Sequence, residues 1–171
     1  LDATAIERAR AVYFAEAAKH VPLRPGALLV DKSPLFLNRV PLIRRLFPQA
    51  RFILALRHPA DVLLSCYVSN FRLNAAMSNF LRLDTAADFY DLTFSYWTRA
   101  QQIFDMPVMP VRYEDMVQDP AGTLRPLVDW LGLDWRDELL DHQETAARRG
   151  MVTTASYAQV QEPIYTRSAG R

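Results

Sequence analysis

The sequence predicts an α/β protein, a parallel sheet with helices on its flanks, and two observations carry that prediction. Short apolar runs of strand length alternate with longer stretches whose apolar residues recur at helical spacing. Strands separated by helices pair in parallel, because a right-handed crossover returns each strand in the same direction. At 171 residues and half hydrophobic, the chain is long enough for a real core and short for two domains, which usually run to about 100–150 residues each. Residues 1–171 are therefore read as one unit.

The elements follow in chain order. Ile6, Ala9, Val12, Tyr13 and Ala17 fall near helical spacing within Thr4–Val21, and Thr4 with Glu7 makes a capping-box pattern. The run "PGALLV" is continuously apolar and ends at Asp31, which predicts a buried strand. A helix over Asn38–Phe47 places Val40, Ile43 and Phe47 on one side, with Pro41 near its start and Pro48 as its stop. "RFILALR", Arg51–Arg57, is the next strand; Pro59 opens a helix behind it, with Asp61 in the first turn. After an irregular stretch over Asn70–Leu83 comes a long helix, Thr85–Phe104, whose aromatic stripe of Phe89, Tyr90, Phe94, Tyr96 and Trp97 reads as core packing. Met106–Asp115 is a third strand, which Pro110 confines to an edge or a bulge. A helix from Pro120 closes on Gly132, another starts at Asp134, and from Gly150 the chain is polar and loop-like.

Composition excludes several classes. A formal charge of +1 gives no field to favour nucleic acid or an anionic membrane. The single cysteine, Cys66, rules out an internal disulfide framework and fits a reducing, cytoplasmic setting. No apolar run approaches the roughly 18 residues of a bilayer span, so the chain reads as soluble. His20, His58 and His142 have none of the spacings of a metal site, and no metal is expected. The chain starts at Leu1 and stops at Gly170–Arg171, which reads as a piece of a longer protein.

In a parallel sheet all strand C-termini share one edge, where the ligands of open α/β folds sit. Lys32, Arg57 and the Arg112–Tyr113 pair are expected to converge there and to hold an anion, plausibly a phosphate. With about 3.6 residues per helical turn, Ser65 falls on the same face of its helix as His58, beside the turn that presents Arg57. A guanidinium fork with a hydroxyl suits one phosphate monoester. Taken alone, Arg57 reads as a surface ion-pair partner, Lys32 as a solvated residue before a helix, and Tyr113 as a core aromatic.

These residues resemble the sulfotransferases that use 3′-phosphoadenosine 5′-phosphosulfate (PAPS), in particular the tyrosylprotein-sulfotransferase-like bacterial branch often fused to tetratricopeptide repeats. The most specific match is "RHPADVLLS", Arg57–Ser65, similar to the family frame R-[DH]-P-x-[DA]-V-x-x-S whose Arg and Ser hold the cofactor's 3′-phosphate. "DKSP" resembles the strand-end motif whose lysine lies by the transferred sulfuryl group, which implies that role for Lys32. "RYEDM" resembles the motif whose tyrosine contacts adenine, which implies Tyr113, with Glu114 and Asp115 structural. "TTASYAQVQEPIY" and "TRSAG" resemble the late cofactor loop and the segment closing over the 3′-phosphate, implying Ser156 and Arg167.

The resemblance implies a P-loop-like parallel α/β fold, the C-terminal portion of a sulfotransferase domain, with PAPS as co-substrate and 3′-phosphoadenosine 5′-phosphate (PAP) as product. Nothing before Ala27 resembles the family's 5′-phosphosulfate loop, so that loop and the general base are expected outside this sequence, and the chain alone is expected to be inactive. The acceptor, a hydroxyl or amine on a protein, carbohydrate or small molecule, is open. The rival readings are a non-catalytic nucleotide-binding or protein-interaction module that keeps the 3′-phosphate site, and a nucleotide or shikimate-type kinase. The kinase would need a Gly-Lys-Ser/Thr loop that the sequence lacks.

Overall fold

A computed structural model describes residues 2–33 and 36–141 of the chain. The elements are helix α1 (Ala3–Ala17), α2 (Val40–Leu46), strand β1 (Phe52–Leu56), α3 (Pro59–Val68), α4 (Leu83–Ile103), strand β2 (Val108–Arg112), α5 (Tyr113–Gln118) and α6 (Pro120–Leu131). Short 3-10 turns precede α2 and α4 and follow α6. The chain divides into two compact units, one made of Leu1–Arg51 with Leu92–Pro107, the other of Phe52–Asp91 with the chain from Val108 onward.

In the first unit α1 packs on α2. The cap of α1 is Asp2, whose carboxylate accepts the Ala5 N–H at 2.7 Å, so the Thr4–Glu7 box expected from the sequence is not the one used. An acidic side chain just ahead of it does the same work with a favourable helix dipole. Tyr13 and Phe14 meet Phe47, just past α2, at ring distances of 5.0 and 5.8 Å. The Arg10 guanidinium donates to the Leu46 carbonyl, one of the unpaired acceptors at the C-terminus of α2. Val40, Trp97 and Ala100 are the buried apolar residues here.

The strand expected from "PGALLV" does not form. Ala27–Ser33 has no regular structure, and Leu28 and Val30 are 55% and 70% exposed. Apolar composition gives a segment the propensity for a strand, but backbone N–H and C=O groups are satisfied only by a partner. No strand pairs with this segment among the described residues.

The second unit holds both strands, which α3 and α4 join along the chain, and they pair in parallel as the crossover rule requires, in register from Phe52 opposite Val108 to Leu56 opposite Arg112. The register passes through Pro110, opposite Leu54, without a bulge. Among the described residues β1 is the one strand paired with β2, so Pro110 leaves no sheet hydrogen bond unmade there. Alternate residues of β1, Ile53 and Ala55, are exposed although the run is apolar on both faces.

Helix α5 has no counterpart among the elements expected from the sequence: the chain turns directly from β2 into it at Tyr113. It packs on α6 and on the end of β2. Helix α6 is bounded as expected. Asp119 caps it by accepting the Gly122 N–H at 2.9 Å, where a Cβ on Gly122 would run into the Asp119 carboxylate. Gly132 ends it at φ 74°, a left-handed conformation that suits glycine. Of the helix expected from Asp134, the described part holds a 3-10 turn at Asp137–Leu140, and the remainder from 142 onward lies outside the described residues. The aromatic stripe of α4 is only partly core: Trp97 is buried, whereas Tyr96 is exposed.

Candidate nucleotide-binding site

Two turns build the site, and the register of the sheet brings them together. β1 ends at Leu56 and α3 begins at Pro59, leaving only Arg57 and His58 between. Proline favours the first helical turn, where no N–H is required, and holds the residue before it extended; His58 has φ −51° and ψ 127°. β2 ends at Arg112, which is itself the N-cap of α5. Because Leu56 lies opposite Arg112 in a parallel pair, the next residue of each strand, Arg57 and Tyr113, leaves the same edge side by side. The Arg57 guanidinium carbon stands 4.8 Å from the centre of the Tyr113 ring, within cation–π range.

The following residue, Glu114, closes the arrangement. Its carboxylate accepts the His58 N–H at 2.7 Å, bridging 56 positions of sequence. That hydrogen bond, with smaller help from its own backbone N–H and from the charges of Arg112 and Arg57, holds the Glu114 carboxyl below the usual carboxylate range. The sequence offered only a structural role for Glu114. An acid directly after the tyrosine of a parallel strand end, opposite a proline-opened helix without a side-chain cap, is the signal that points to this bond.

Helix α3 carries the rest. Asp61 in its first turn is almost completely buried at 2% exposure. Ser65 lies two turns into the helix, and its carbonyl accepts from the Ser69 hydroxyl at 2.6 Å. Burial pushes the half-buried Cys66 thiol up, and the Arg57 charge opposes that shift.

Arg57 and Tyr113 are thus brought together, with Ser65 on the helix that follows Arg57. Lys32 is not at a strand end: it is exposed in the irregular Ala27–Ser33 segment and belongs to the other unit. Among the described residues its segment has no pairing partner, so Lys32 is not carried on a strand C-terminus as the sequence led one to expect. Its neighbour Asp31 accepts a hydrogen bond from the Tyr13 hydroxyl at 3.0 Å, which ties that segment to α1. Burial first, then Asp31, raises the Tyr13 pKa. Ser156 and Arg167 lie outside the described residues. Among the described residues no group of His, Cys, Asp or Glu could hold a metal ion, and no helix is long and apolar enough to cross a membrane.

Comparison with known proteins identifies the class to which these turns belong. Residues 2–137 match the family model described as the Sulfotransferase family, and the chain is a member of that family. It is 26% identical over 156 residues to protein-tyrosine sulfotransferase 2 of Gallus gallus, covering 86% of this chain and 40% of that protein. It is 29% identical over 132 residues to a putative protein-tyrosine sulfotransferase of Caenorhabditis elegans, covering 74% and 48%. With the omega-hydroxy-beta-dihydromenaquinone-9 sulfotransferase Stf3 of Mycobacterium bovis it shares 26% identity over 162 residues, covering 84% and 41%. The chain thus spans less than half the length of these curated relatives. Among solved structures it superposes on a sulfotransferase domain from the curacin biosynthetic pathway with a TM-score of 0.64 at 20% identity, over 92% of this chain and 58% of that one. The α/β sulfotransferase fold expected from the sequence is the fold observed.

Proposed function

We propose that residues 1–171 form part of one sulfotransferase domain that uses PAPS, and that the paired turns after β1 and β2 hold its adenosine bisphosphate end. The observation that supports this most is the juxtaposition of Arg57 and Tyr113 at one edge of a parallel sheet. Arg57 and Ser65 take the 3′-phosphate, where each charge-assisted hydrogen bond contributes about 1.5–3 kcal/mol. The Tyr113 ring lies against the adenine, a contact of about 1–3 kcal/mol when a base stacks on an aromatic face. Ser156 and Arg167 complete the grip on the nucleotide.

The reaction is in-line transfer of the sulfuryl group to an acceptor hydroxyl or amine. The acceptor atom forms a bond to sulfur as the bond to the bridging oxygen breaks, PAP leaves, and a base takes the acceptor proton. Lys32 neutralises charge growing on the bridging oxygen, as preorganised cations do in phosphoryl transfer. The relatives include protein-tyrosine and menaquinone sulfotransferases, which supports an acceptor hydroxyl in a protein or a small molecule. No metal enters this scheme, and its partners are a nucleotide and the acceptor.

Titration of the chain with PAP and with AMP tests the central assignment. PAP is expected to bind more tightly, and equal affinities would overturn it. Arg57→Ala should weaken PAP by about 1.5–3 kcal/mol, roughly 10- to 150-fold, and leave AMP almost unchanged.

A further inference from the structure

Helix α3 begins without the usual cap. His58 occupies the N-cap position, and its side chain makes no capping hydrogen bond, where serine, threonine, aspartate or asparagine would ordinarily serve. The His58 N–H is taken by Glu114 from the neighbouring strand's turn. Glu114 directly follows Tyr113, and His58 directly follows Arg57, so this one hydrogen bond fastens the two turns one residue beyond the two side chains proposed to bind nucleotide. The carboxyl group is held ionised by the same N–H and faces the charges of Arg112 and Arg57, so its grip is charge-assisted at neutral pH.

We propose that Glu114 is a positioning residue, which by accepting the His58 N–H locks the β1–α3 turn to the β2–α5 turn and so presents Arg57 and Tyr113 in one fixed geometry to an adenosine 3′,5′-bisphosphate. This rests on the reading of Arg57 and Tyr113 as nucleotide contacts and adds what keeps them together. Side chains carried on separate turns give up freedom when a ligand fixes them. A bond that already joins the turns moves that cost from binding to folding. The acceptor atom matters more than its charge: glutamine keeps a carbonyl at the same reach, alanine removes it, and aspartate is one methylene short.

The test is calorimetric titration of PAP against the wild type, Arg57→Ala, Glu114→Ala, Glu114→Gln, Glu114→Asp and the double variant Arg57→Ala/Glu114→Ala. Glu114→Ala is expected to weaken PAP by about tenfold, the loss of one hydrogen bond to a charged group. Glu114→Gln should stay within about threefold of wild type, and Glu114→Asp should approach the alanine value. In the Arg57→Ala background, removal of Glu114 should cost clearly less than in the wild type, because only Tyr113 is left to position. A merely structural role would give the same fold-loss in both backgrounds, and that additive result would overturn the proposal. So would wild-type affinity in both Glu114→Ala and Glu114→Asp. If Glu114→Ala does not fold, the contrast between glutamine and aspartate decides alone, and equal affinity of those two also overturns it. Arg57→Ala with unaltered PAP affinity would instead strike at the nucleotide reading itself, which separates the two failures.

Discussion

Two segments of this chain carry nearly the same message in sequence and meet different ends. "ALLVDK" and "FILALR" are each an apolar run closing on a basic residue before a helix. The second becomes β1, paired residue for residue with β2, and its basic residue projects beside Tyr113. The first stays irregular, with Leu28 and Val30 exposed, and a hydrogen bond from Tyr13 to Asp31 ties it to α1. The difference lies in pairing, not propensity. A strand exists when another strand takes its backbone groups, and the partner of β1 is supplied by Val108–Arg112, beyond two intervening helices.

The sharpest way to press this comparison is to ask whether the basic residues of the two segments still share a function. In the whole protein, Lys32→Ala is expected to lower kcat by about 10²–10³, the range for removal of one preorganised donor to developing charge. The apparent KM for PAPS should change far less, as for an interaction made mainly in the transition state. Radiolabelled-sulfate transfer reads both constants, and an unchanged kcat would return Lys32 to the role of a solvated side chain.

Stability should separate the segments next. Leu54 in β1 is half-buried opposite Pro110, so Leu54→Ala should cost about 1–2 kcal/mol of unfolding free energy through lost apolar burial. Val30, with 70% of its surface exposed, should tolerate alanine within about 0.5 kcal/mol. Urea unfolding midpoints compare them directly, and equal losses would mean that the first segment is as firmly paired as β1.

The smallest effect is expected in acid. The Glu114 carboxyl titrates below its ordinary value of 4.5 because it accepts the His58 N–H. A depressed carboxylate stabilises the fold fully above its unfolded-state pKa, and that contribution fades as pH falls through the lower folded value. The difference in unfolding midpoint between wild type and Glu114→Gln should therefore be level above about pH 4.5 and shrink below it. A difference that stayed level through that acid range would remove Glu114 from the pH dependence.

What sequence alone determined was everything that depends on neighbours in the chain. The strand-turn-helix at Arg57–Ser65, the proline starts of α3 and α6 and the glycine stop at Gly132 all follow from local backbone rules that no distant contact needs to enforce. The parallel pairing of β1 and β2 was legible too, because the crossover that joins them allows one direction only. Tertiary structure decided the rest. It chose Asp2 over Thr4 to cap α1, denied Ala27–Val30 a strand, folded Tyr113–Gln118 into a helix and exposed Tyr96 within an aromatic stripe. Above all it set Glu114 on the His58 N–H across 56 residues. A carboxylate's choice among distant donors depends on where the sheet register places them, and register is a property of two strands together that neither one encodes by itself.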